Sequence, residues 1–168
     1  MSAVIKTATP FVIEEVLVTA LDAVDAEPIL VNQALLSEFS QRNRVRVGDI
    51  LTNRQDYNGR QFFRKVEDRW ILMHDRDEYN GKLVSKLVDK HYLPVSRFLT
   101  ELGKYYDTAY QQYLDELAEQ ERIRLEEERK QRIEATRQQA IAKAKAQGYS
   151  VKESRKGGQI QLVLTRTV

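Results

Sequence analysis

From Glu119 to Gln147 the chain contains neither glycine nor proline. Its first part, residues 119–132, reads EQERIRLEEERKQR. Nothing in it supplies the positive φ or the missing donor that ends a helix. The charges suit a helix in water: Glu126 stands four residues before Lys130 and Glu128 four before Arg132, the acid first in each pair. On the N-terminal side Pro94 marks a start. Phe98, Leu102, Tyr105, Ala109, Tyr113 and Leu117 then step by three or four, widened by Leu99, Tyr106 and Tyr110, an aromatic face that packs on a sheet more often than it binds a cofactor or stacks bases. On the C-terminal side a weaker stripe returns at Ile133, Ala140, Ile141 and Ala144. Lys143 and Lys145 precede Gly148, as a helix C-terminus prefers. The spacing predicts one helix from Pro94 to Ala146, about 80 Å long at about 1.5 Å per residue, roughly twice the size of a small domain. Part of it must leave the domain that starts it. The alternative is a break near 118–133 and a fold back, but no Gly, Pro or Asn is there to make that turn.

The remainder reads as an α+β body. Residues 3–8 are β-prone, and Thr9-Pro10 resembles a helix start. Val12, Val16, Leu17, Ala20, Leu21 and Val24 follow at helical spacing. Ile29 to Val31 reads as a strand, 34–43 as a helical turn or irregular loop, and Val45-Arg46-Val47 as the start of a strand running through Ile50 and Leu51. Residues 61–75, QFFRKVEDRWILMHD, predict a hairpin turning at Glu67-Asp68-Arg69. Tyr57-Asn58-Gly59-Arg60 recurs as Tyr79-Asn80-Gly81-Lys82. Asn-Gly supplies the positive φ of tight turns, so turns explain the repeat better than a binding motif does. Tyr149–Lys156 and Gln159–Arg166 form two strands around Gly157-Gly158. The expected fold is therefore a small antiparallel sheet packed by two helices, the second greatly elongated and projecting, followed by a C-terminal β-hairpin. The expected divisions are a body at 1–117, a charged extension at 118–147 and a hairpin at 148–168, which joins its own sheet or a partner's.

Cysteine is absent from the sequence, which excludes disulfides, thiolate nucleophiles and Cys-ligated metals within it. The amino-terminal residues show no signal-peptide pattern, Glu14 and Glu15 interrupting the apolar run. No apolar run approaches the roughly 20 residues of a membrane span. Residues 1–129 carry 18 Lys/Arg against 23 Asp/Glu, whereas 130–168 carry 9 against 2. An acidic body with a basic end can bind an anionic partner, another copy of itself, or fold back.

Catalytic chemistry finds little support. A calcium loop counted from Asp75 fails at Tyr79, Asn80 and Lys86, which stand where a ligand, Gly and Glu are needed. His74 beside Asp75 lacks a Ser or Cys nucleophile motif, and strand neighbours point to opposite faces. His91 precedes Tyr92-Leu93-Pro94, with no nucleophile motif either. There is no GxGxxG and no phosphate-binding Walker loop. No cofactor, metal or catalytic residue is expected.

The order of these pieces, and above all the ending, resembles a domain-of-unknown-function family, number twelve fifty-seven, of cyanobacteria and algal plastid genomes. The ending is a helix, then Gln147-Gly148-Tyr149, a strand with Val151, a turn with Gly158, and Ile160, Leu162, Val163 and Leu164. Members often close with tryptophan where this chain has Thr167-Val168, and their helix looks shorter. The family brings no established activity. The resemblance implies an accessory role, with an AAA-type ATPase as a partner and a cytoplasmic or plastid-stromal setting.

Two readings follow. In the first, the chain is a non-catalytic interaction protein and a homodimer. Coiled-coil-like contacts are carried by Tyr106, Tyr110, Tyr113, Leu117, Ile133 and Ile141, and the long helix hands its hairpin to the second copy. In the second, Lys143, Lys145, Lys152, Arg155 and Lys156 form a basic strip for nucleic acid or the ribosome, steeply salt-dependent.

Overall fold

Consecutive apolar residues between 50 and 75, which send side chains to both faces, build the centre of the sheet. In the computed structural model, which describes residues 3–38, 44–85 and 89–166, β3 (Ile50–Asp56), β4 (Gly59–Val66) and β5 (Arg69–Asp75) form an antiparallel meander. β1 (Val4–Ala8) pairs with β5. Two short strands, β2 (Ile29–Leu30) and β6 (Lys82–Leu83), share the far edge of β3. The predicted hairpin turns at Glu67, whose φ is 58°.

One face of this sheet is covered by helices α1 (Glu14–Ala23) and α3 (Val95–Ala146). Val16, Leu17, Ala20 and Leu21 of α1, Ile50, Phe63, Trp70 and Leu72 of the sheet, and Phe98, Leu102, Tyr106 and Ala109 of α3 form one buried cluster. Burying each large side chain is worth about 1.5–3 kcal/mol, so this face holds the body together. The other face has a smaller cluster of Val31, Leu51, Phe62 and Met73, with Leu36 of α2 (Gln33–Leu36) and Val45 packed on it.

Three expectations are corrected. Thr9 does not cap α1. Its hydroxyl donates to the Trp70 carbonyl, and the helix begins only after the extended N-cap residue Ile13. This seats Phe11 in the core and leaves Val12 43% exposed. The strand expected from Val45 begins only at Ile50, because Arg46 and Asp49 close a turn: Asp49 N donates to Arg46 O at 3.1 Å, and Arg46 N to Asp49 Oδ2 at 2.7 Å. In the tyrosine stripe, Tyr106 rather than Tyr105 faces the core, at 8% against 42% exposure. Of the loop expected at 34–43, residues 39–43 lie outside the described residues, as do Lys86 and Thr167-Val168.

The two YNG turns differ. Gly59 takes the positive φ in the first, at 111°, whereas Asn80 takes it in the second, at 60°. Gly81 is needed for another reason: a Cβ there would lie 2.4 Å from the Tyr92 ring. Both flanking tyrosines, Tyr57 and Tyr79, sit exposed beside turns rather than within strands.

A buried polar network ties that loop to α3. Arg54 is packed between the rings of Tyr92 and Phe98, at 4.2 and 4.1 Å from their centroids. It donates to Gln61 Oε1 and the Leu93 carbonyl. The Tyr92 hydroxyl accepts from Gln61 and donates to Glu78, whose carboxylate also accepts the N–H of Val95, the first residue of α3. Burial lowers the Arg54 pKa, opposed by the charge of Tyr92 and Glu78. Burial raises that of Tyr92, opposed by Arg54.

The helix predicted from Pro94 to Ala146 is a single element of 52 residues. β7 (Tyr149–Lys156) and β8 (Gln159–Arg166) follow, paired with each other in a separate two-stranded sheet. The chain divides into two compact units, Met1–Leu114 and Asp115–Val168. No helix among the described residues is long and apolar enough to cross a membrane.

Candidate interaction surface

Within the unit from Asp115 onward, helix formation leaves most side chains in water. Ion pairs run along the helix surface: Glu119–Arg122 at 2.7 Å, Glu121–Arg124 at 2.6 Å, Glu126–Lys130 at 3.0 Å and Glu128–Arg132 at 3.7 Å. The last two are the pairs that the spacing predicts. A hydrogen bond from Arg122 lowers the Glu119 pKa, and one from Lys130 lowers that of Glu126. These pairs are exposed, so their worth is small and falls with salt.

The hairpin packs on the last turns of α3 through few residues. Tyr149, Val151 and Leu162 are half-buried, as are Arg137 and Ile141 of the helix. Ala144, at 6% exposure, is the one fully buried residue of this unit among those described. Arg137 spans from helix to hairpin, paired with both Glu134 and Glu153. Gly157 and Gly158, at φ 61° and 80°, make the tight turn. Several larger apolar residues stay in water: Ile133 at 53% exposure, Val163 at 49% and Leu164 at 51%.

The residues expected to bind a partner separate into two groups. Tyr106 belongs to the body's own core, where its hydroxyl accepts the N–H groups of Val12 and Ile13, each at 3.1 Å. That takes it off the expected contact surface and matches the packing on the body's own sheet expected of the tyrosine stripe: a buried ring with a satisfied hydroxyl has nothing left to offer a partner. Tyr113 packs half-buried against the same core, and Tyr110 stacks on Tyr106 at 6.3 Å while 40% exposed. Leu117 and Ile133 are exposed, and Ile141 is half-covered by its own hairpin.

Lys143, Lys145, Lys152, Arg155 and Lys156 are all exposed, and none pairs with a carboxylate among the described residues. Lys152 and Lys156 fall on one face of β7, opposite Val163 and Gln159, while Arg155 is on the other. His74 is structural in its contacts: one ring nitrogen meets the Thr7 hydroxyl at 2.7 Å, the other the Asp75 carbonyl at 2.8 Å.

The chain matches no family model, no curated protein and no solved structure.

Proposed function

We propose that the chain is a non-catalytic interaction module that pairs with a second copy of itself through the distal half of α3 and the β7–β8 hairpin. One observation carries this reading: among its described residues, a unit of more than fifty residues buries a single alanine and leaves Ile133, Val163 and Leu164 about half in water. A segment that buries so little apolar surface cannot offset its own ordering entropy. A partner must supply the cover. A second copy suits the charge pattern, since an antiparallel crossing midway between Glu128 and Arg129 sets Glu127 and Glu128 against Lys130 and Arg129 of the other chain. Exchange of the hairpins is the form this dimer takes. An accessory role beside an AAA-type ATPase fits a module without catalytic groups.

Light scattering after size exclusion tests it. A mass near twice 19.6 kDa, held at low and high salt, is expected. A monomer at every concentration sinks the proposal.

A second reading, nucleic-acid binding by the basic end of the chain, is favoured by Lys143, Lys145, Lys152, Arg155 and Lys156, all exposed and none paired with a carboxylate among the described residues. In that reading a short RNA duplex binds at low salt and is lost at moderate salt. Arg155→Glu with Lys156→Glu abolishes the binding while leaving the mass unchanged.

A further inference from the structure

The unit Met1–Leu114 is close to neutral, with 15 Lys/Arg and 16 Asp/Glu. Yet five of those cations, Lys6, Arg44, Arg46, Arg60 and Arg64, line a single concavity of about 530 Å³. It lies over the smaller core cluster, with Phe62, Met73 and Val45 among its lining. A volume of that order suits a small organic ligand, which binds against apolar walls with a few placed polar groups.

The rim is built rather than accidental. Arg64 grips Asp49 with two parallel hydrogen bonds, Nε to Oδ1 at 2.9 Å and Nη2 to Oδ2 at 2.7 Å. It also donates to the Arg44 carbonyl, and Asp49 accepts the Arg46 N–H. This pair ties the 44–49 turn to β4 and so holds the backbone that carries Arg44 and Arg46. Arg64 is thereby neutralised. Arg44, Arg46, Arg60 and Lys6 have no carboxylate within ion-pair distance among the described residues.

Of the two acids nearby, Asp56 is engaged and Asp75 is not. Asp56 accepts the N–H groups of Asn58 and Asp75 and the amide of Gln61. Asp75, two residues beyond Met73 on β5, is fully buried, and its carboxylate oxygens meet no donor among the described residues. Four uncompensated cations around an apolar floor raise the local concentration of anions. Guanidinium groups match phosphate oxygens in particular.

We infer that this concavity binds a small phosphate-bearing molecule of nucleotide size, with its phosphates on Arg44, Arg46, Arg60 and Lys6 and its uncharged part toward Phe62 and Met73. The site belongs to the body alone and stands or falls apart from dimerisation.

Calorimetric titration of the full chain with ADP, inorganic pyrophosphate and citrate tests it. ADP and pyrophosphate are expected to bind once per chain, ADP the tighter, and both to weaken as salt rises. Lys6→Ala with Arg60→Ala, and separately Arg44→Ala with Arg46→Ala, should each lower ADP affinity about tenfold or more at unchanged melting temperature. Lys6, Arg44 and Arg46 are exposed and Arg60 is half-buried, and none belongs to either core cluster, so the variants keep the fold. Absence of heat with ADP, affinity unmoved by either pair, or citrate binding as tightly as pyrophosphate overturns the assignment.

Discussion

A hydroxyl and a hydrogen atom decide much of the body's local structure. The Tyr106 hydroxyl accepts two backbone donors just before α1, so a residue in α3 holds a segment more than ninety positions earlier. Gly81 gives the Tyr92 ring its space, and that ring lies against Arg54. Tyr92 also sets a pH response. Its pKa is raised in the folded chain, chiefly by burial. A phenol is neutral below its pKa, so folding favours the neutral form. The stability this brings is present below about pH 10, the usual tyrosine value, and is lost as pH rises through the raised value. Melting temperatures measured from pH 8 to about pH 12 should therefore fall at the alkaline end, and Tyr92→Phe should flatten part of that fall. An identical alkaline slope in the variant would exclude Tyr92 as a source. Little of this was legible in the sequence: the YNG repeat pointed to two turns, but the need for glycine at 81 depends on a ring eleven residues away.

At the scale of elements, α3 was the most legible. Its charges recur at helical spacing and no glycine or proline interrupts residues 119–146, so local chemistry favours the continuity that the structure shows. Glu127→Pro tests this directly. Proline inside a helix removes a hydrogen bond and clashes with the preceding turn, at about 3 kcal/mol or more. The helical circular dichroism signal of the full chain should drop while the body keeps its melting transition. An unchanged signal would mean the helix is already broken there. The start of α1 was misread for the opposite reason. Thr9-Pro10 has good cap chemistry, but burial of Phe11 and the bond from Thr9 to Trp70 outweigh it. A cap is worth about 1 kcal/mol, less than the roughly 1.5–3 kcal/mol from burying one phenylalanine. The late start of β3 has the same origin, since the Asp49 carboxylate captures the Arg46 N–H and closes a turn where β-propensity favoured a strand.

At the scale of the whole molecule, the two units differ in how they are held. Met1–Leu114 has a continuous buried cluster joining sheet and helices. Among its described residues, Asp115–Val168 has exposed ion pairs, one buried alanine and a hairpin paired only with itself. If a second copy covers the hairpin, a charge placed there should separate the copies without unfolding the body. Leu164→Asp, about half exposed in the single chain, is expected to reduce the scattering mass to that of one chain and leave the body's melting transition in place. A variant that keeps the doubled mass would remove the hairpin from the interface.

The sequence by itself determined the long helix, the hairpins and their turns, and the α+β class, because each depends on residues within a few positions of one another. Only the tertiary structure decided that Tyr106 turns inward, that Thr9 serves a strand rather than a helix, and that Lys6, Arg44, Arg46, Arg60 and Arg64 meet around one concavity. Those cations come from β1, a turn and β4. Sheet register brings such residues together, and register is set by which apolar faces find each other, a property of the packed core rather than of any short stretch.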